Sequence, residues 1–193
     1  MLCASLLLFL GNEKEDSTAR AVAEEVIPQL VEEIRRNTQQ ETQPDLREDL
    51  LIPLELLTEE DVAMEEVEVD GNGYIGCLSL PALGLELPVQ GSWSYPKLNI
   101  SPCRYTGSLR GEDLVIMAHN YRSHFGKLSQ LVMGDSVTFT DMTGKTTYYT
   151  VAAKNVVEPS DVEALTNGEY DLTLFTCTYG GAKRVAVYCD VTE

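Results

Sequence analysis

The sequence predicts a mainly β domain, closed or nearly closed into a barrel, behind an acidic helical leader. Three observations carry this. From Tyr74 onward, short runs rich in β-branched and aromatic residues recur, each bounded by Gly, Pro or Asp. Only two short stretches in that region have helical spacing. The charge is also uneven: 19 acidic and 5 basic residues lie between Asn12 and Gly73, against 12 and 9 from Tyr74 to Glu193, so most of the net charge of -17 sits in the leader. Many short strands with few helices to cover them leave edges open to other chains, and closure into a barrel removes those edges.

The 193 residues divide into three parts: 1–11, 12–72 and 73–193. Met1 to Leu10 is apolar and uncharged, shorter than the run of about 20 residues that spans a bilayer as a helix. It gives way abruptly to Asn12-Glu13-Lys14-Glu15-Asp16. Two readings stand: the end of a membrane anchor, or a short apolar tail. From Asp16 or Ser17 to Arg36, Val22, Val26, Leu30 and Ile34 recur at near-helical spacing beside Ala23 and Ile27, predicting an amphipathic arm. Pro28 is expected to kink or split it, and the arm is expected to pack weakly or not at all. Asn37 to Gly71 is Gln-rich, Pro-containing and acidic and reads as a linker, within which Leu50 to Leu57 has the composition to dock locally.

Within 73–193, strands are expected at Tyr74 to Pro81, Leu85 to Val89, Leu114 to Ala118, Ser136 to Asp141 and Lys145 to Ala153. Short helices are expected from Ser123 or His124 to Leu131 and from Asp161 to Leu165. Asp171 to Asp190 reads as two β-runs joined by a turn at Gly180-Gly181, with Cys177 closing the first run and Arg184 opening the second. A thiol and a guanidinium at one end of a hairpin suit acyl chemistry, since the thiolate is a nucleophile and the planar cation stabilises an oxyanion. The proton-transfer partner must be His119 or His124, because the chain has no other histidine. His119 ends an apolar run where a loop begins, a frequent place for catalytic side chains. His124 reads as a surface or capping histidine.

The segment Thr173-Leu174-Phe175-Thr176-Cys177 matches the T-L-x-T-C signature of sortases, and Tyr74 to Glu193 resembles that family of cysteine transpeptidases. The resemblance implies a barrel of about eight strands. It selects His119, since the sortase histidine follows such a strand and precedes a Phe, a Leu and a Gly-Asp pair, here Phe125, Leu128 and Gly134-Asp135. Two departures stand out: Ala118 occupies a position where sortases commonly have glycine, and the connection Thr178 to Lys183 is short. The resemblance further implies a Cys177 thioacyl intermediate, His119 as acid and base, and Arg184 as oxyanion partner, with Thr176 and Leu174 as substrate contacts. It implies sorting-signal peptides resembling L-P-x-T-G as substrates and an amine acceptor, either a cell-wall peptide or a pilin lysine. It places the enzyme on the outer face of the plasma membrane, anchored through its N-terminus, and needs no cofactor.

Other classes are weighed against this. Nucleic-acid binding is excluded, because phosphate contacts need clustered Lys and Arg and none is present. A zinc site is set aside, since His119, His124, Cys177 and Cys189 are scattered singles without close ligand pairs. Five cysteines leave at least one unpaired in a monomer, which suits a reactive thiol. Two alternatives stay open: a cysteine peptidase that only hydrolyses, and a non-catalytic β-barrel binding module.

Overall fold

The computed structural model describes residues 2–40 and 64–192, with side chains in the first segment described from 13 to 39. The expected docking of Leu50 to Leu57 and most of the expected linker lie outside the described residues. Helix α1 spans Leu2–Gln40, and the strands are β1 Val67–Val69, β2 Asn72–Leu80, β3 Leu85–Gln90, β4 Cys103–Thr106, β5 Leu114–Met117, β6 Ser136–Asp141, β7 Thr146–Val157, β8 Leu172–Cys177 and β9 Arg184–Val191. Short helices α2 Tyr95–Leu98 and α3 Glu163–Thr166 interrupt them, with single 3-10 segments at Pro81–Leu83 and Phe125–Gln130.

The strands follow the order β1-β2-β3-β4-β5-β8-β9-β7-β6, and β6 returns to pair with β2. Strands β2 to β9 therefore form a closed eight-stranded barrel, and β1 is an extra strand on the part of β2 that β6 leaves free. Two of its junctions are parallel, β3 with β4 and β5 with β8. The β3–β4 junction is a single bridge, Gln90 to Cys103, so Pro88 interrupts no longer ladder there.

Alternation decides what each strand puts inside. Leu114, Ile116 and Ala118 of β5 and its exit, Leu172 and Leu174 of β8, and Val185, Val187 and Cys189 of β9 all join the interior core. The intervening residues Val115, Phe175, Ala186 and Tyr188 form a second cluster outside the barrel, with Leu165 of α3. On β2 the alternation breaks at a bulge between Tyr74 and Gly76, which turns Tyr74 outward and Ile75 into the core. Gly76 there has φ +153°, and a Cβ would lie 2.3 Å from the Thr140 carbonyl oxygen, so only glycine fits.

The arm differs from the expectation. α1 is one helix through Pro28, and it is docked. The predicted stripe of Val22, Val26, Leu30 and Ile34 packs on Val69, Tyr74 and Met142 on the outside of the barrel. Ala19 and Leu30 are fully buried. Asn37 Nδ2 donates to the Met142 carbonyl at 3.0 Å, which ties the C-terminal part of the helix to the β6–β7 turn. Contacts on both sides of Pro28 hold the axis continuous despite the lost intrahelical bond, which ordinarily costs about 3 kcal/mol. Among the described residues, no helix is long and apolar enough to cross a membrane.

Candidate functional site

Register brings the three chemical groups together. β5 and β8 run parallel with Met117 opposite Phe175, and two residues beyond each partner come His119 and Cys177. The strands stay adjacent past the ladder: Ala118 N donates to the Phe175 carbonyl at 3.2 Å, and Thr176 Oγ1 donates to the Ala118 carbonyl at 2.8 Å. Further out, Asn120 Nδ2 donates to the Thr178 carbonyl at 3.5 Å. On the other side of β8, Cys177 pairs with Arg184. The next pair along is hydrogen-bonded, Thr178 N to the Lys183 carbonyl at 2.9 Å. Cys177 and Arg184 therefore form the kind of antiparallel pair in which side chains approach most closely, with Cα atoms about 4.5 Å apart.

The pleat then decides their face. Odd-numbered residues of β5 and β8 and even-numbered residues of β9 point outward, so His119, Cys177 and Arg184 share the outer face at one end of the barrel. The hairpin turn that sets this up has a Gly181 N to Thr178 carbonyl bond of 2.8 Å, and both glycines have positive φ, +87° at Gly180 and +76° at Gly181.

Cys177 is partly exposed, and all four described cysteines are free. The other three are poor nucleophiles: burial pushes the thiol of Cys77 up to about 11 and those of Cys103 and Cys189 up to about 12. Arg184 Nη1 donates to the carbonyls of Gly181 at 3.2 Å and Lys183 at 3.1 Å, and among the described residues Nε and Nη2 have no hydrogen-bond partner. His119 Nε2 lies 3.1 Å from Asn99 Oδ1, which fixes the ring. Burial lowers the His119 pKa below its ordinary value, while the Glu15 carboxylate acts in the opposite direction.

Three sequence expectations need correction. Leu174 is fully buried among the core residues of the barrel interior, so its side chain contacts no substrate. Thr176 is also buried, and its hydroxyl is spent on Ala118, which makes it a clamp between β5 and β8. His124 is neither at the surface nor a side-chain cap: it is fully buried and makes no side-chain cap bond to the 3-10 segment it precedes. Burial, reinforced by the nearby His119, lowers its pKa to about 4.

The outward neighbours of Cys177 are aromatic instead. Phe175 stacks edge-on with Tyr105 at 5.4 Å, Tyr105 lies 5.9 Å from Trp93, and Trp93 meets Tyr95 at 6.1 Å. Tyr95 is 75% exposed and Trp93 42%, so the row runs from the core to open solvent beside the thiol. Asn99 and Tyr121, which touch or stack on His119, were not legible in the sequence: Asn99 lies 20 residues upstream in a loop after α2 and carries no motif.

Comparison with known proteins bears on the family and the fold. A family model described as a Sortase domain matches residues 78–192. No curated protein matches the chain. Among solved structures, sortase C1 of Streptococcus suis is 26% identical with a TM-score of 0.56, covering 62% of this chain and 73% of its own. Sortase A of Corynebacterium diphtheriae is 20% identical with a TM-score of 0.62, covering 88% of this chain and 95% of its own. Sortase C of Clostridium perfringens SM101 is 21% identical with a TM-score of 0.57, covering 88% and 90%. The last two share the fold over a span too long to leave out α1.

Proposed function

Because the chain belongs to the sortase family, we propose that it is a cysteine transpeptidase that cleaves an L-P-x-T-G-like sorting signal and transfers the acyl part to an amine. The Cys177 thiolate attacks the scissile carbonyl, forming a C–S bond. The negative charge that develops on the carbonyl oxygen is met by the Arg184 guanidinium, whose planar donors suit an oxyanion. As the tetrahedral intermediate collapses, the C–N bond breaks and His119, as imidazolium, gives its proton to the leaving amine. The product is a thioester on Cys177 and a neutral imidazole. An incoming amine then attacks the thioester, His119 takes its proton, and the Cys177 thiolate leaves.

The observation that carries this reading is the shared outer face of His119, Cys177 and Arg184 at the ends of β5, β8 and β9. The Asn99 contact supports the role of His119 by holding the ring in place, since its Oδ1 accepts from Nε2 whenever that nitrogen carries a proton. The aromatic row from Phe175 to Tyr95 offers an apolar wall for the Leu-Pro half of a bound signal. The acceptor is a cell-wall peptide or a pilin lysine, and the place of action is the outer face of a Gram-positive plasma membrane. Incubation with a panel of sorting-signal pentapeptides and either a glycine peptide or a lysine amine, read by mass spectrometry, tests this. Ligated product that disappears in Cys177→Ala supports the reading. Cleavage that yields only free acid at every amine concentration makes the protein a hydrolase instead.

A further inference from the structure

α1 is held on the barrel by Val26 and Leu30 at its middle and by Asn37 near its end. From Asp16 to Asn37 it runs about 31 Å at 1.5 Å per residue. Its N-terminal part thereby arrives at the loop that follows β5. There Asp16 Oδ1 accepts from Ser123 N at 2.7 Å and from Ser123 Oγ at 2.7 Å, and the Asp16 carbonyl accepts from the same hydroxyl at 3.1 Å. One residue earlier, Glu15 Oε2 accepts from the Tyr121 hydroxyl at 2.9 Å. That hydroxyl lies 3.4 Å from Asn99 Oδ1, the atom 3.1 Å from His119 Nε2. The Tyr121 ring lies 4.9 Å from the His119 ring and 5.5 Å from that of His124.

We propose that Glu15 and Tyr121 are positioning residues for His119, so that the leader helix completes the active site: the Glu15 carboxylate holds the Tyr121 hydroxyl, and with it the ring that stacks on the imidazole. The inference rests on reading His119 as the proton donor and names what prepares it for that role. Besides Asn99, the titratable and charged groups on the elements that meet at this end of the barrel are Glu15 and Asp16 on α1, Tyr121, Arg122 and His124 on the loop after β5, and Cys177 and Arg184 at the β8–β9 hairpin. Among the described carboxylates, Glu15 is the one whose charge acts on the imidazole. Burial drives His119 toward its neutral form, in which it has no proton for a leaving amine, and a fixed anion opposes that drive. Tyr121 adds direction to charge. Its short bond to Glu15 takes its one proton, and its ring limits how far the imidazole tilts.

The test uses the full chain. Glu15→Gln keeps an oxygen for Tyr121 and deletes the charge; Tyr121→Phe keeps the ring and deletes the link. The readouts are the His119 titration followed by NMR and the pH profile of transpeptidation. Either variant is expected to move the His119 titration to lower pH and shift the alkaline limb of the profile with it, lowering kcat/KM at neutral pH about threefold. Glu15→Asp is expected to restore part of the shift. The double variant should add little to either single change, because both act along one path. At 1 M salt the difference between Glu15→Gln and the unaltered protein should shrink, since Glu15 is exposed. His119 titrating at one pH in the unaltered protein, Glu15→Gln and Tyr121→Phe at low ionic strength would overturn the proposal. The NMR titration needs no substrate. A titration that moves in a protein that ligates no peptide therefore counts against the transpeptidase reading and leaves the positioning role standing.

Discussion

Thr176→Val tests how the site is assembled. The Thr176 side chain is buried and donates to the Ala118 carbonyl at 2.8 Å, linking the residue before Cys177 to the residue before His119. Valine keeps the shape and removes the donor, which leaves the Ala118 carbonyl in apolar surroundings without that partner. An unsatisfied buried acceptor costs about 1–3 kcal/mol. With a urea dependence of about 2 kcal/mol per M, the unfolding midpoint is expected to fall by about 0.5–1.5 M. Activity should fall further than stability alone explains, because at urea-free conditions nearly all of the protein remains folded while the His119 end of β5 is held to β8 by one bond fewer. A loss of about tenfold in kcat/KM is expected, as misplacement of a catalytic group by a fraction of an ångström is enough for that. Thr176→Ser keeps the hydroxyl and should recover most of the activity. An unchanged midpoint together with unchanged kcat/KM in Thr176→Val would refute the clamp.

Three further outcomes are expected of the same fold. Arg184→Lys keeps the charge and loses the planar fork beside Cys177, so peptide cleavage should fall about a hundredfold with the melting temperature unchanged; cleavage at the original rate would remove Arg184 from the mechanism. Leu30→Ala opens a cavity under the middle of α1 and should cost about 2–5 kcal/mol by urea denaturation, whereas an arm that is not docked would show no cost. His124 takes up a proton near pH 4 when folded and near 6.5 when unfolded, so between those values the unfolded state binds more protons. Stability should therefore drop as pH falls from about 6.5 to 4, by about 3 kcal/mol more in the unaltered protein than in His124→Leu. Equal acid sensitivity of the two would contradict the buried, neutral state of His124.

The barrel was legible where strands mixed β-branched, aromatic and other apolar residues, as at Leu114 to Met117, Ser136 to Asp141 and Leu172 to Cys177. β4 was not, because four residues between Pro102 and Gly107 with one bridge to β3 give too short a pattern. β1, also missed, is three residues long inside an acidic stretch that reads as linker. The stripe on α1 was visible, but its partners were not: Tyr74 and Met142 lie far along the chain, and nothing in residues 16–36 says that a β-bulge will turn a tyrosine outward to meet them. At the candidate site, the family resemblance singled out Cys177, His119 and Arg184 as candidates, and strand alternation alone would have put them on one face. The same alternation would have placed Leu174 and Thr176 inside. A motif marks residues that must be there without saying which touch substrate and which hold the strands. Asn99, Tyr121 and Glu15 had no signal, because their relation to His119 exists only once α1, the α2 loop and the β5 exit meet.

The most direct measurement is the intact mass of the full chain after brief exposure to a sorting-signal peptide without an amine acceptor, followed by peptide mapping. The account predicts an added acyl mass carried on Cys177 as a hydroxylamine-labile thioester, absent from Cys177→Ala and reduced in Arg184→Lys. Peptide cleavage with no covalent adduct, or an adduct on Cys77, Cys103 or Cys189, would contradict it.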